Sequence, residues 1–115
     1  MHVLLVEDDN DTRYIVSKFL VRWGHEVTQV ETVSAAISQL GDSQFGAVVT
    51  DIGLPDGNGI QVIEEAMKST TPMIKVALTA QRAAKDRVLA FRAGVSHYLT
   101  KPLDPARLKE ALAEV

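Results

Sequence analysis

Six residues in this chain are of types that handle phosphate or a hard metal ion, and they come from four separate segments: Glu7, Asp8 and Asp9 in one run, then Asp51, Thr79 and Lys101. Clustered carboxylates repel one another, and some resist ionising unless a cation relieves them. Mg²⁺ suits such a set, because it prefers one or two carboxylates, waters and phosphate oxygens to a cage made wholly of protein. A carboxylate beside such an ion can also serve as a nucleophile, since aspartyl phosphates are a known class of covalent intermediate. Asp51 is the candidate nucleophile. Mg²⁺ and the Lys101 ammonium would stabilise the oxygens of a transferring phosphoryl group, and the Thr79 hydroxyl would donate a hydrogen bond to it.

Each residue also has a plainer reading. An acidic run before a helix is favoured by the helix dipole alone. Asp51 opens a turn-rich segment, where Asp is common. Thr is an ordinary strand residue, and Lys101 can be a surface charge. What separates the two readings is where the elements place these side chains.

Val3-Leu4-Leu5-Val6 is a continuous apolar run that reads as a strand buried on both faces, with Glu7 and Asp8 at its end. Asn10 or Asp11 is expected to cap a following helix whose Ile15, Val16, Phe19, Leu20 and Trp23 recur at helical spacing, with Gly24 as its stop. Residues 26–30 form a second strand. Thr32 or Ser34 caps a short helix ending near Gly41. Residues 45–50 form a third strand ending at Asp51, followed by the turn-rich Gly53-Leu-Pro-Asp-Gly-Asn-Gly59. Residues 60–67 are helical, and residues 73–78 form a strand ending at Thr79. A helix over 83–93 stops at Gly94, and a strand over 95–100 ends at Lys101-Pro102. Asp104-Pro105, an N-cap and an N1 proline, opens the last helix. This alternation of strand and helix predicts an α/β fold, a parallel sheet covered by helices on both faces, forming one domain over 1–115. In such a sheet ligands bind outside the carboxyl ends of the strands, where strand order reverses. The candidate residues all sit at those ends.

Composition narrows the field. The 115 residues are 46% hydrophobic and 23% charged, as expected for a globular chain. A net charge of −3 with scattered Lys and Arg gives no nucleic-acid surface. The absence of Cys excludes disulfides, thiolate catalysis and cysteine metal sites. No apolar run reaches the roughly 18 residues that span a bilayer. The short apolar N-terminal stretch meets carboxylates too soon for a secretory signal, so a cytoplasmic location is expected, with no membrane contact. His2, His25 and His97 show no ligand spacing.

Taken in order, these motifs resemble the receiver domain of two-component response regulators over essentially the whole chain. Glu7-Asp8 resembles the family's acidic pair, and Asp51-Ile-Gly-Leu-Pro55-Asp-Gly-Asn-Gly59 its phosphoacceptor loop. Leu78-Thr79-Ala80 resembles the switch hydroxyl and the small residue after it. Tyr98-Leu-Thr-Lys101-Pro102 resembles the aromatic switch and the lysine, followed by a bond that is often cis in the family. The resemblance implies a flavodoxin-like doubly wound sheet of five parallel strands in order 2-1-3-4-5, with five helices. It also implies that Asp8 touches Mg²⁺ directly, that Glu7 acts through water and that the Gly53 carbonyl is a further ligand. Asp9 is expected to point towards the helix start. Tyr98 would fill the space left when Thr79 moves towards the phosphoryl group, reshaping the face made by helix four, strand five and helix five. Gly53 and Gln81 occupy the positions that tune phosphoryl loss.

The implied function is phosphorelay signalling. A partner phosphohistidine, on a histidine kinase or a histidine phosphotransfer domain, supplies the phosphoryl group to Asp51. The domain catalyses only its own modification and is not a turnover enzyme. A phosphorylation-dependent dimer is compatible with this, and the loop sequences resemble receivers carried on hybrid sensor histidine kinases. Two other readings compete. A haloacid-dehalogenase-like phosphatase would need its Asp-x-Asp nucleophile at the end of strand one, and here only Asp9-Asn10-Asp11 has that spacing. A non-phosphorylated interaction module would have no use for the full chemical set.

Overall fold

The computed structural model describes residues 1–80 and 84–113. Strands β1 (His2–Val6), β2 (Glu26–Val30), β3 (Ala47–Thr50), β4 (Ile74–Thr79) and β5 (His97–Thr100) alternate with helices α1 (Asn10–Arg22), α2 (Val33–Asp42), α3 (Ile60–Ala66), α4 (Ala84–Ala93) and α5 (Pro105–Leu112). The strands form one parallel sheet in the order β2-β1-β3-β4-β5, as the resemblance implied. A two-residue antiparallel hairpin, Gly53–Leu54 against Gly57–Asn58, lies between β3 and α3.

The apolar runs explain the layering. Successive strand residues point to opposite faces, so a run apolar throughout needs cover on both. Leu4, Val6, Val48 and Ala77 face a cluster completed by Val33 and Ala36 of α2, Val62, Ile63 and Ala66 of α3, and Ala90 of α4. Val3, Leu5, Ala47, Val49, Val76 and Leu78 face Val16 and Leu20 of α1 and Leu108, Ala111 and Leu112 of α5. Fully burying each Leu or Val is worth about 1.5–3 kcal/mol. The central strands are therefore enclosed by apolar packing on both faces, and what is attached to their ends is firmly placed.

Several boundaries differ from the sequence expectation. Asp9, not Asn10 or Asp11, is the N-cap of α1: its extended backbone lets the carboxylate accept from Thr12 N at 2.9 Å and Thr12 Oγ1 at 2.6 Å. Helix α2 runs through Gly41 to Asp42 and closes at Ser43, with Thr32 as its cap. Strands β3, β4 and β5 begin at Ala47, Ile74 and His97, later than expected. Gly24 (φ +90°) and Gly94 (φ +115°) supply the left-handed conformations that follow α1 and α4. Asp104 caps α5 with Pro105 in its first turn, and Lys101-Pro102 is cis. Among the described residues no helix is long and apolar enough to cross a membrane.

Candidate functional site

The sheet register decides which side chains meet. Val6 lies opposite Val30 and Thr50, Thr50 opposite Ala77, and Thr79 opposite Thr100. The ladder continues one residue beyond three of these strands: Glu7 N donates to Val30 O at 3.0 Å, Asp51 N to Val6 O at 3.0 Å and Lys101 N to Thr79 O at 2.8 Å. Glu7, Asp51 and Lys101 are thus fixed by strand hydrogen bonds rather than by loops. Their side chains converge over the end of β1 and β3, the point where strand order reverses.

Glu7 is 2% exposed, Asp51 9% and Thr79 0%, while Asp8 is open to solvent. The Lys101 ammonium sits between the two buried carboxylates, 2.7 Å from Glu7 Oε1 and 2.8 Å from Asp51 Oδ2. One carboxylate oxygen from each of Glu7, Asp8 and Asp51 lies within 4.8 Å of the others. Gly53 N donates to Asp51 Oδ1 at 3.2 Å, and Asp9 N to Glu7 Oε2 at 3.1 Å.

Burial pushes the Glu7 carboxyl above its usual range. The hydrogen bonds from Lys101 and the Asp9 N–H act against that, and the Asp51 charge adds to it. For Lys101 burial works downwards, but hydrogen bonds to Asp51 and Glu7 outweigh it and raise the ammonium above the ordinary lysine value. The lysine is therefore a firm cation, yet one positive charge faces three carboxylates. An all-oxygen donor set, two members buried and one reachable by a hydrated ion, fits Mg²⁺ and leaves little for a soft metal.

The loop after Asp51 is held close. Gly59 N donates to Ile52 O at 2.7 Å. A Cβ at Gly59 would overlap the carbonyl oxygen of Asp51. Glycine is needed there for a close backbone approach, not only for a turn. Asn58 Oδ1 accepts from Ile60 N at 2.8 Å, opening α3, which has no side-chain cap at Gly59.

Among the sequence-predicted residues, Glu7, Asp8, Asp51 and Lys101 come together, with the Gly53 backbone beside them and Thr79 buried at the end of β4. Tyr98 is buried in the cluster on the α2–α4 side, where burial raises its hydroxyl pKa, and the Arg87 guanidinium lies 5.9 Å from its ring centre. Gln81 lies outside the described residues. Asp9 points towards the start of α1, as expected, and there takes the cap position expected of Asn10 or Asp11. With Asp11 on the first turn of that helix, the Asp9-x-Asp11 spacing does not form a strand-end pair.

Sequence reasoning missed Arg13 and Asp56. Arg13 donates to the Glu7 carbonyl at 2.9 Å, Asn10 Oδ1 at 2.6 Å and Glu31 Oε1 at 3.2 Å, tying the end of β1 to α1 and to the end of β2. Asp56 reaches the start of α2. Neither carries a local signal, because the strand and helix ends each one ties together are brought side by side only by the fold.

Comparison with known proteins agrees with this geometry. The family model described as the response regulator receiver domain matches residues 3–113. An uncharacterised 14.6 kDa protein of Leptolyngbya boryana is 36% identical over 94% of this chain and 84% of its own length. The KDP operon transcriptional regulatory protein KdpE of Escherichia coli K12 is 33% identical over 96% of the chain, and the response regulator protein FleR of Pseudomonas aeruginosa 34% over 96%. The chain spans only 51% of KdpE and 24% of FleR. In structure it is similar to a CheY-like receiver domain protein of Methanospirillum hungatei (TM-score 0.91, 28% identity, 97% of this chain and 90% of that one). It is also similar to the receiver domain of a sensor histidine kinase of Pseudomonas aeruginosa PAO1 that holds a magnesium ion in its active site cleft (TM-score 0.86, 28% identity, 96% and 93%). With its parallel sheet and its carboxylate–lysine cluster at the strand ends, the chain belongs to the response regulator receiver domain family of two-component signalling.

Proposed function

We propose that this domain accepts a phosphoryl group on Asp51 from the phosphohistidine of a histidine kinase or histidine phosphotransfer domain, within the cytoplasm, and that the change is read on the α4-β5-α5 face. The observation that carries the reading is the Lys101 ammonium held between Glu7 and Asp51, at 2.7 and 2.8 Å, with Asp8 completing the acidic cluster. Glu7, Asp8, Asp51 and the Gly53 carbonyl would hold Mg²⁺, Asp8 directly and Glu7 through water. Once bound, that ion neutralises charge on the carboxylates and on the phosphoryl oxygens.

The chain's own residues do the rest. A carboxylate oxygen of Asp51 attacks phosphorus; the new P–O bond forms as the P–N bond to the donor imidazole breaks, and the imidazole keeps the electron pair. Lys101 stabilises the phosphoryl oxygens from the position it already holds. The Thr79 hydroxyl donates to one of them, and Tyr98 moves into the space that Thr79 leaves. A local gain of charge thereby biases a two-state element. Gly53 places no side chain in the path of water, and with Gln81 it tunes loss of the phosphoryl group. The domain modifies only itself and turns over no separate substrate.

A titration with beryllofluoride and Mg²⁺, followed by NMR, tests the switch. Large shifts at Thr79, Tyr98 and along α4, β5 and α5, absent in Asp51→Asn, are expected. Sedimentation of the same samples reads out any dimer formed through that face. Shifts confined to the acidic cluster would contradict the proposed switch face.

A further inference from the structure

Asp56 lies at the tip of the hairpin that follows the acceptor, in the turn between Leu54 and Gly57. Its two carboxylate oxygens are both used: Oδ1 accepts from Val33 N at 2.8 Å and Oδ2 from Ser34 N at 3.0 Å. These are the first two amides of α2, across a separation of 22 to 23 residues in sequence. The next amide, Ala35 N, goes to Thr32 Oγ1 at 3.0 Å, and Ala36 N begins the helical ladder on Thr32 O. The N-terminal amides of α2 are thus divided between a local cap and a distant carboxylate. A charged acceptor on two amides at a helix N-terminus is a strong contact, helped by the helix dipole. Those two amides hold the Asp56 carboxyl below its usual pKa, so it is ionised at neutral pH.

The other end of the hairpin is fastened to the acceptor strand by Gly59 N on Ile52 O at 2.7 Å and by Gly53 N on Asp51 Oδ1 at 3.2 Å. Leu54, between the two fastenings, packs in the same cluster as Val33. The segment carrying Gly53 is therefore anchored at its base by Asp51 and Ile52, which follow β3, and at its tip by α2. We propose that Asp56 is a positioning residue: by tying the acceptor hairpin to the first turn of α2, it sets where the Gly53 carbonyl stands and so sets the affinity of the site for Mg²⁺. This inference rests on the reading that Gly53 and the acidic cluster hold Mg²⁺.

Calorimetric titration of Mg²⁺ into the metal-free protein, with thermal melts of the same samples, tests it in four proteins: wild type, Asp56→Ala, Asp56→Asn and Thr32→Ala. Asp56→Ala and Thr32→Ala each remove caps from the same helix end, but only Asp56 touches the acceptor hairpin. The expected result is a lowered Tm in both, a Kd raised about tenfold in Asp56→Ala alone, and a smaller rise in Asp56→Asn, which keeps one acceptor oxygen. A wild-type Kd retained in Asp56→Ala, or raised equally by Thr32→Ala, would overturn the positioning role while leaving the metal site standing. If Asp56→Ala does not fold, Asp56→Asn against Thr32→Ala decides in the same way. A wild-type protein that binds no Mg²⁺ would instead overturn the metal reading, and this inference with it.

Discussion

At their N-terminal ends the five strands begin with His2, Glu26, Ala47, Ile74 and His97; at their C-terminal ends they deliver Glu7, Asp51, Thr79 and Lys101. Both ends of the sheet carry a lysine–glutamate pair of nearly equal length. Lys68 Nζ lies 2.9 Å from Glu65 Oε2 and Lys101 Nζ 2.7 Å from Glu7 Oε1. Their surroundings differ: the side chains of the first pair are 77% and 25% exposed, those of the second 22% and 3%. Water screens the first pair, so it does little. In the second, the charges have lost much of their hydration and depend on one another and on Asp51. A cleft of about 630 Å³ is at the first end, between Ile37, Leu40 and Met73, with Glu65 and Lys68 on its walls. Size alone does not locate the chemistry here; buried charge held by strand hydrogen bonds does.

Substituting the two lysines tests that contrast directly. Lys101→Met should slow phosphoryl uptake from a small donor by about a hundredfold or more, as for other groups that stabilise developing oxyanion charge. It should also cost about 1–3 kcal/mol in EDTA, because Glu7 and Asp51 then face each other without a cation, and Mg²⁺ should recover part of that loss in a chemical-denaturation series. Gly59→Ala comes next: the added methyl forces the acceptor loop off Asp51, with a loss of about 1–3 kcal/mol and slower uptake. Retained rate and stability in that variant would mean that the loop approach is incidental.

Smaller still is the pH response of Asp56. Its folded pKa is lowered by the Ser34 and Val33 amides, so its contribution is present above its unfolded value near 3.8 and is lost as pH falls through the folded value. The stability difference between wild type and Asp56→Asn should hold from neutral pH down to the unfolded value near 3.8 and narrow as pH is lowered further in the same denaturation series. The smallest expected effect is Lys68→Ala, a change below about 0.5 kcal/mol with phosphoryl uptake intact. A large effect there would remove the distinction between the two ends.

Much of this was legible in the sequence because the signals are local. The apolar runs before Glu7 and Asp51, the Asp104-Pro105 cap and the glycines after α1 and α4 each report on their own segment. Strand ends were read well, and they carry the site. Strand starts were read too early at Phe45 and Val95, because both are buried without joining the ladder, and burial and pairing look alike in a string of apolar residues. The α1 cap was misplaced among consecutive Asp9, Asn10 and Asp11, since any of them caps well and backbone shape alone decides. Arg13, Asp56 and the steric need for Gly59 stayed hidden because each depends on how the folded backbone places an atom of another segment: the Glu7 carbonyl, the α2 amides and the Asp51 carbonyl.

The acceptor itself is tested most directly by intact-protein mass after incubation with phosphoramidate and Mg²⁺, beside an Asp51→Asn control and an EDTA sample. A single labile phosphoryl adduct on the wild type, absent from both controls, is the predicted result. An adduct that persists in Asp51→Asn, or no adduct where Mg²⁺ binds and beryllofluoride also fails to shift the protein, would contradict the assignment of Asp51 as phosphoacceptor.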